Sequence, residues 1–278
     1  MLEKKLISFL IMLLSYACNA PSAAEQTVEN NRPGPPSSTD SSTPGQQESP
    51  LGATISNIPK SFVMGQFDPA KDPNFVAISS PYADREGMFL HKTTYEAFLK
   101  MYEAAQKDKV NLRIISATRN FETQKMIWEG KWTGQRKLSD GTNAATEIKD
   151  DLERALRILE YSSMPGTSRH HWGTDIDLNA LNNAHFEKEE GLKVYQWLVN
   201  NAASFGFCQP YSEKGPNRPD GYNEEKWHWS YLPLAKQYLQ TAKDSLLDTN
   251  IRGFMGAEVA PQLKVVEKYV LGINPDCK

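Results

Sequence analysis

The sequence predicts an α+β domain. Apolar residues recur at helical spacing in several separate segments, short apolar runs suited to strands lie between them, and the two kinds alternate without the strict rhythm of a parallel βαβ sheet. The first clear helix spans 93–107: Thr93 or Thr94 is placed to cap it, and Tyr95, Phe98, Leu99 and Tyr102 recur along one side. Leu112 to Ser116 reads as a strand. Phe121 to Lys131 reads as a helix with Ile127 and Trp128 on its apolar side, and Ile148 to Leu159 as another with Leu152, Leu156 and Leu159 on one face. Trp172 to Leu178 is a strand. Leu192 to Phe205 is a helix that Gly206 ends as a C-cap. Trp227 to Tyr231 is a further short strand, and 233–246 and 261–271 read as helices.

The N-terminus has a different character. Lys4 and Lys5 precede an apolar run from Leu6 to Leu14, which is too short to span a bilayer and suits the core of a secretory signal. Leu14-Ser15-Tyr16-Ala17-Cys18 follows and resembles a bacterial lipobox, in which the cysteine is lipidated; cleavage near Ala23-Ala24 is the alternative. Residues 1–18 are therefore expected to be a signal peptide. Residues 19–54 are dominated by Pro, Ser, Thr, Gly, Asn, Gln and Glu, lack apolar periodicity, and read as a disordered tether. The expected folded domain covers 55–235, with a helical extension over 236–278 packed on it. Export places the chain in the cell envelope, with an N-terminal lipid as its only membrane attachment. Setting Cys18 aside leaves Cys208 and Cys277, an even pair that an oxidising compartment would allow to join; two separate thiols are the other reading.

The 278 residues carry a formal net charge of −3 with both signs interspersed, which argues against a nucleic-acid partner. Two settings carry chemistry. One runs from Pro165 to Asp177 and holds His170 and His171; the other is Glu224-Glu225-Lys226-Trp227-His228-Trp229. A catalytic zinc takes three protein ligands and leaves a position for water, with a carboxylate near enough to take the water's proton. His170 and Asp177 flank a glycine turn into a strand, His228 offers a third donor and Glu225 a base. Residues three apart on a strand face opposite ways, so Glu225 and His228 need a turn between them to meet. An isolated histidine is more often structural than a ligand, and Trp172, Trp227 and Trp229 suit a core.

Three motifs together resemble a known family. Ser168-x-His170-x-x-Gly173-x-Asp175-x-Asp177 resembles the Ser-x-His-x-x-Gly-x-Ala-x-Asp signature of VanY-type D-alanyl-D-alanine carboxypeptidases, zinc peptidases related to D-Ala-D-Ala dipeptidases and the hedgehog domain. Glu225-Lys226-Trp227-His228 resembles that family's Glu-x-Trp-His, and Ser116-Ala117-Thr118-Arg119-Asn120-Phe121-Glu122-Thr123-Gln124 its Ser-x-x-Arg-Ser-x-x-x-Gln segment. The order of the motifs fits over roughly 85–235. The resemblance implies a small antiparallel sheet with flanking helices. It implies zinc on His170, Asp177 and His228, with Glu225 as catalytic base and Arg119 holding substrate and stabilising charge. Gln124 and Ser168 would line the substrate site. The family spacing favours His170 over its neighbour His171. Asp175 stands where the family has a small residue, as an acceptor for a histidine N–H or a disturbance of the pocket, and Cys208-Gln209-Pro210 stands where the family carries an arginine.

The expected activity is thus zinc-dependent removal of the C-terminal D-amino acid from peptidoglycan stem peptides, by a monomer. The alternatives are an LD-carboxypeptidase or endopeptidase with the same site, and a non-catalytic peptidoglycan-binding module that keeps the metal.

Overall fold

A computed structural model describes residues 57–278, all within the compact unit Glu48–Lys278. The expected signal peptide, Cys18 and the tether over 19–54 lie outside the described residues. In chain order the elements are α1 (Lys60–Val63), β1 (Phe75–Ala77), β2 (Phe89–His91), α2 (Lys92–Lys107), β3 (Ile114–Ser116), α3 (Phe121–Trp132), α4 (Ala144–Glu147), α5 (Asp151–Ile158), β4 (Asp175–Leu178), α6 (Glu189–Asn201), β5 (Phe207–Cys208), β6 (His228–Tyr231), α7 (Leu232–Ser245) and α8 (Ala260–Leu263). The class is α+β. A four-stranded sheet has the order β3-β4-β6-β5, each neighbouring pair antiparallel, and β1 and β2 form a separate antiparallel pair.

The centre of the larger sheet positions the site. Asp175 lies opposite Ser230, Ile176 opposite Trp229, and Asp177 opposite His228. Side chains alternate along a strand, so Asp175, Asp177, His228 and Ser230 share one face while Ile176, Leu178, Trp229 and Tyr231 take the other. Every residue of β4 and β6 is buried. The apolar face joins a core that includes Phe98, Met101, Leu112, Ile114 and Trp128, leaving the polar face of the same two strands to find its partners inside the protein.

The structure corrects several expected details. The cap of α2 is His91, whose ring nitrogen accepts from the Thr93 N–H (3.3 Å), while Thr94 is buried. The helix expected from Ile148 begins at Asp151, where Asp150 caps it by accepting from the Glu153 N–H. Its buried residues are Ala155 and Ile158, with Leu159 buried just beyond and Leu152 packed against the same core; of the three leucines expected on this face, Leu156 departs from it, at 43% exposed. Trp172 lies in a 3-10 turn, Arg169–Trp172, rather than in the strand. The expected helix over 261–271 is broken at Lys264, whose φ of 52° cannot continue a right-handed helix.

The C-terminal part packs back on the domain. The Tyr238 ring on α7 stacks 5.3 Å from Phe62, the Trp128 indole donates to the Met255 carbonyl (2.8 Å), and Tyr269 meets Tyr222 at 5.2 Å. Cys208 and Cys277 are joined as a disulfide with Cα atoms 5.9 Å apart. Beside it the Asn274 N–H donates to the Pro210 carbonyl (2.8 Å), so the tail is fastened to the root of the segment that leads to Glu225. Among the described residues, no helix is long and apolar enough to cross a membrane.

Candidate metal centre

Donor atoms of His170, Asp177 and His228 lie within 4.8 Å of one another, and all three residues are buried. Strand register explains one half of the cluster, because Asp177 and His228 are directly opposed on β4 and β6. A turn explains the other half. Gly173 adopts φ 71°, and a Cβ there would stand 2.3 Å from the Phe75 ring, so only glycine turns the chain from the His170 segment into β4 at this point. Glu225 reaches the cluster through the turn that strand geometry requires: the His228 N–H donates to the Glu225 carbonyl (3.2 Å), which brings Glu225 Oε2 to 3.3 Å from His228 Nδ1.

Hydrogen bonds set which nitrogen of each imidazole faces the cluster. His170 Nδ1 donates to the Ala117 carbonyl (2.9 Å) and leaves Nε2 toward Asp177 Oδ2 (3.3 Å). His228 Nε2 donates to Asp175 Oδ1 (2.9 Å) and leaves Nδ1 toward Asp177 Oδ1 (3.2 Å). The rings stand 4.7 Å apart at 78°. His170 Nε2 and Asp177 Oδ1 are buried without a hydrogen-bond partner. Two unpartnered donors of the nitrogen and oxygen type, pointed at one place with a carboxylate beside them, fit a divalent cation such as zinc.

His171 belongs elsewhere. Its Nε2 accepts from the Gly166 N–H (3.1 Å) and its Nδ1 donates to the Arg119 carbonyl (2.6 Å). Burial pushes its pKa down to about 3, so it stays neutral in this scaffold role. With the Arg119 N–H donating to the His170 carbonyl (3.1 Å), both histidines brace the backbone on which Arg119 stands.

Burial also lifts the Glu225 carboxyl above its ordinary range, against the hydrogen bond and charge of His228 that favour its ionised form. Burial opposes charge on His228 too, but its hydrogen bonds to Asp175, Asp177 and Glu225 outweigh that and draw a proton to it. The Glu225 peptide is held on both flanks, since the Asn183 side chain donates to the Glu224 carbonyl (2.9 Å) and accepts from the Lys226 N–H (3.1 Å).

Asp177, Glu225 and Arg119 line a cleft of about 670 Å³, together with Ser116, Lys131, Tyr161, Asn183 and Trp227 among others. Like His170 and His228, Gln124 and Ser168 are enclosed. Both are 1% exposed; Gln124 donates to the Ser163 carbonyl (2.8 Å), and the Ser168 hydroxyl is buried without a partner.

Asp175 is the centre of a buried network. Its Oδ1 also accepts from Arg169 Nε (3.0 Å), and its Oδ2 accepts from the hydroxyls of Thr174 (2.5 Å) and Ser230 (3.0 Å). Arg169 Nη2 in turn donates to Ser230 Oγ (2.6 Å), and its guanidinium lies over Trp172 at 4.6 Å. Arg169, Lys131 and Asn183 fill no marked position of the sequence motifs. For Arg169 a signal was present, in that a charged residue beside His170 and six before Asp175 required a partner once that segment was buried.

The sequence profile of the VanY family, D-alanyl-D-alanine carboxypeptidase, matches residues 87–234. A D-alanyl-D-alanine carboxypeptidase from Enterococcus faecalis is 29% identical over 136 residues, which is 48% of this chain and 45% of that protein. The chain therefore spans about half the length of that curated relative. Among solved structures, a mutant of the vancomycin resistance D,D-pentapeptidase VanY in complex with Zn(II) aligns over 62% of this chain and 92% of its own, with 23% identity and a TM-score of 0.45. The LdcB LD-carboxypeptidase aligns over 62% and 74%, with 21% identity and a TM-score of 0.45.

Proposed function

Because the chain belongs to the VanY family of D-alanyl-D-alanine carboxypeptidases, we propose that it is a zinc-dependent carboxypeptidase that removes the C-terminal D-alanine from peptidoglycan stem peptides. The observation that carries this reading is the convergence of His170, Asp177 and His228 beside Glu225, at a cleft that Arg119 also lines. A non-catalytic metal site has no use for a carboxylate raised in pKa or an arginine facing the same space.

When bound, zinc supplies Lewis acidity toward the scissile carbonyl and makes a water more acidic. Glu225 is the group placed to take a proton from the attacking water and return it to the leaving amine. Arg119, its Nε unpartnered and its backbone braced by both histidines, meets the negative oxygen that develops. With their outward N–H groups committed to Ala117 and Asp175, His170 and His228 would turn the other ring nitrogen to the metal, which would take the place of the proton that the carboxylates draw to His228. The basic N-terminus, apolar run and Cys18 support an exported, lipid-tethered enzyme of the envelope.

The test is a product assay on the purified protein with a stem pentapeptide ending in D-Ala-D-Ala, a tetrapeptide and a cross-linked dimer. D-Alanine should leave the pentapeptide, stop leaving with a chelator, and resume with added zinc. Glu225→Gln should abolish turnover with one zinc still bound per chain. Release that ignores the chelator overturns the zinc reading, and preference for the tetrapeptide or the dimer moves the activity to an LD-carboxypeptidase or an endopeptidase.

A further inference from the structure

The cleft is lined by the cations Arg119, Lys131, Arg136 and Lys137 and by the carboxylates Asp140, Glu160, Asp177 and Glu225. Lys131 stands near the end of α3, partly buried, with its ammonium donating to Ser162 Oγ (2.5 Å). Arg136 and Lys137 follow in the next loop and line the same cleft, as does Arg119. The Arg136 stem lies against Gly130, where a Cβ would meet its Cδ at 3.1 Å, so the backbone of α3 gives it room.

Two of these acids, Asp140 and Glu160, are already engaged, and Asp177 and Glu225 belong to the metal cluster. Arg157 Nη2 holds Asp140 (2.5 Å), and Arg157 Nη1 holds Glu160. Among the described residues, no ion pair joins a carboxylate to Arg119, Lys131, Arg136 or Lys137. Burial, with Arg119 and Arg136 adding to it against the pull of Glu225, weakens the hold of Lys131 on its proton. An arriving anion reverses both disadvantages, by supplying countercharge where protein walls limit screening by water.

We propose that Lys131, supported by Arg136 and Lys137, is a carboxylate-binding subsite, and that the enzyme selects stem peptides carrying a free carboxylate there over those in which it is an amide. This rests on the carboxypeptidase reading and names the substrate class within it. The same chemistry has two sources in a stem peptide: the terminal carboxylate of the departing residue, or the carboxylate of an acidic residue on the acyl side of the scissile bond. Lys131 is a specificity residue rather than a participant in bond cleavage, since the cluster already contains the groups that water attack requires.

The experiment crosses enzyme variants with peptide variants. Four zinc-loaded proteins (wild type, Lys131→Met, Lys131→Arg, and Arg136→Met/Lys137→Met) are assayed on a stem pentapeptide with each carboxylate either free or amidated. In the wild type, amidating the bound carboxylate should lower kcat/KM by about 10- to 100-fold, the range for a charge-assisted hydrogen bond. Lys131→Met should lose a similar factor on the free acid and treat acid and amide alike. Lys131→Arg should retain the preference. The carboxylate whose amidation ceases to matter in Lys131→Met is the one bound. If Lys131→Met folds and discriminates both acid–amide pairs as the wild type does, the subsite is refuted. If Lys131→Met does not fold, the exposed pair Arg136→Met/Lys137→Met decides, because unchanged discrimination there refutes it equally. A wild type that releases nothing from any peptide defeats the carboxypeptidase reading separately. Calorimetric binding of the same four peptides to Glu225→Gln then decides the subsite, and equal affinity for acid and amide overturns it.

Discussion

Replacing Asp175 with alanine restores the small residue usual in the family signature and removes the acceptor on which this chain's buried network converges. Asp175 takes four hydrogen bonds, from Arg169, His228, Thr174 and Ser230. Neither Arg169 nor Asp175 has side-chain exposure. Alanine therefore leaves a guanidinium buried without its anion, which costs about 3–5 kcal/mol when one partner of a buried pair is lost. That is a large part of the ~5–15 kcal/mol that holds a typical domain folded. A second loss is separate: His228 Nε2 no longer has the carboxylate that fixes which nitrogen faces the cluster. Removing such a partner lowers metal affinity by about 10- to 100-fold. Urea denaturation of the zinc-free protein measures the first loss, and competition for zinc with a chromogenic chelator measures the second. The double variant Arg169→Met/Asp175→Ala separates them. Removing both charges should return most of the stability while zinc affinity stays low, because the imidazole still lacks its acceptor. Asp175→Ala within 1 kcal/mol of wild-type stability would refute the paired-charge argument. A stable double variant that binds zinc as tightly as wild type would refute the orienting role.

His171→Ala should unfold at lower denaturant, by about 2–4 kcal/mol, because it opens a cavity and strips partners from the Gly166 N–H and Arg119 carbonyl, while zinc content stays at one per chain. His170→Ala should lose the zinc; the opposite result by elemental analysis would exchange the two roles. The double variant Cys208→Ser/Cys277→Ser opens a loop with a sequence separation of 69, so it should lose up to about 4 kcal/mol in urea denaturation under oxidising conditions. An unchanged unfolding midpoint would show that the tail's other contacts suffice. Gly173→Ala should lower the thermal midpoint through its forbidden φ and its clash with Phe75, and wild-type stability there would contradict the turn geometry.

What the sequence made legible was chemistry with local causes. Helix α2 follows from its apolar spacing, and Gly206, with φ 82°, ends the segment before β5 as its position after Phe205 suggests. The α+β class followed from the mixture of periods. Local spacing erred in detail where long-range packing chose the face: Leu152 and Leu159 pack on the core with Ala155 and Ile158, yet Leu156, which repeats with them, stands 43% exposed. Lys264 gives no sign in its residue type that the chain will take a left-handed turn there.

The candidate site divides in the same way. Residue types and motif order point to His170, Asp177, His228 and Glu225, but their meeting depends on a strand register and a turn, neither of which is written in spacing. Motif position also specifies no burial: Gln124 and Ser168 are both 1% exposed, and Gln124 is tied to the Ser163 carbonyl. Asp175 was visible as a departure from the signature, with two opposed consequences open to it. Arg169 decides between them. A lone carboxylate in that place would carry a desolvation cost with only an imidazole to offset it, whereas a carboxylate already neutralised by a guanidinium can accept the His228 N–H and leave the net charge at the cluster to Asp177 and Glu225. Arginine at 169 and aspartate at 175 therefore act as one device. A chain with alanine at 175 has no reason to bury the arginine, and a chain with only one of the two would bury an uncompensated charge beside its metal ligands.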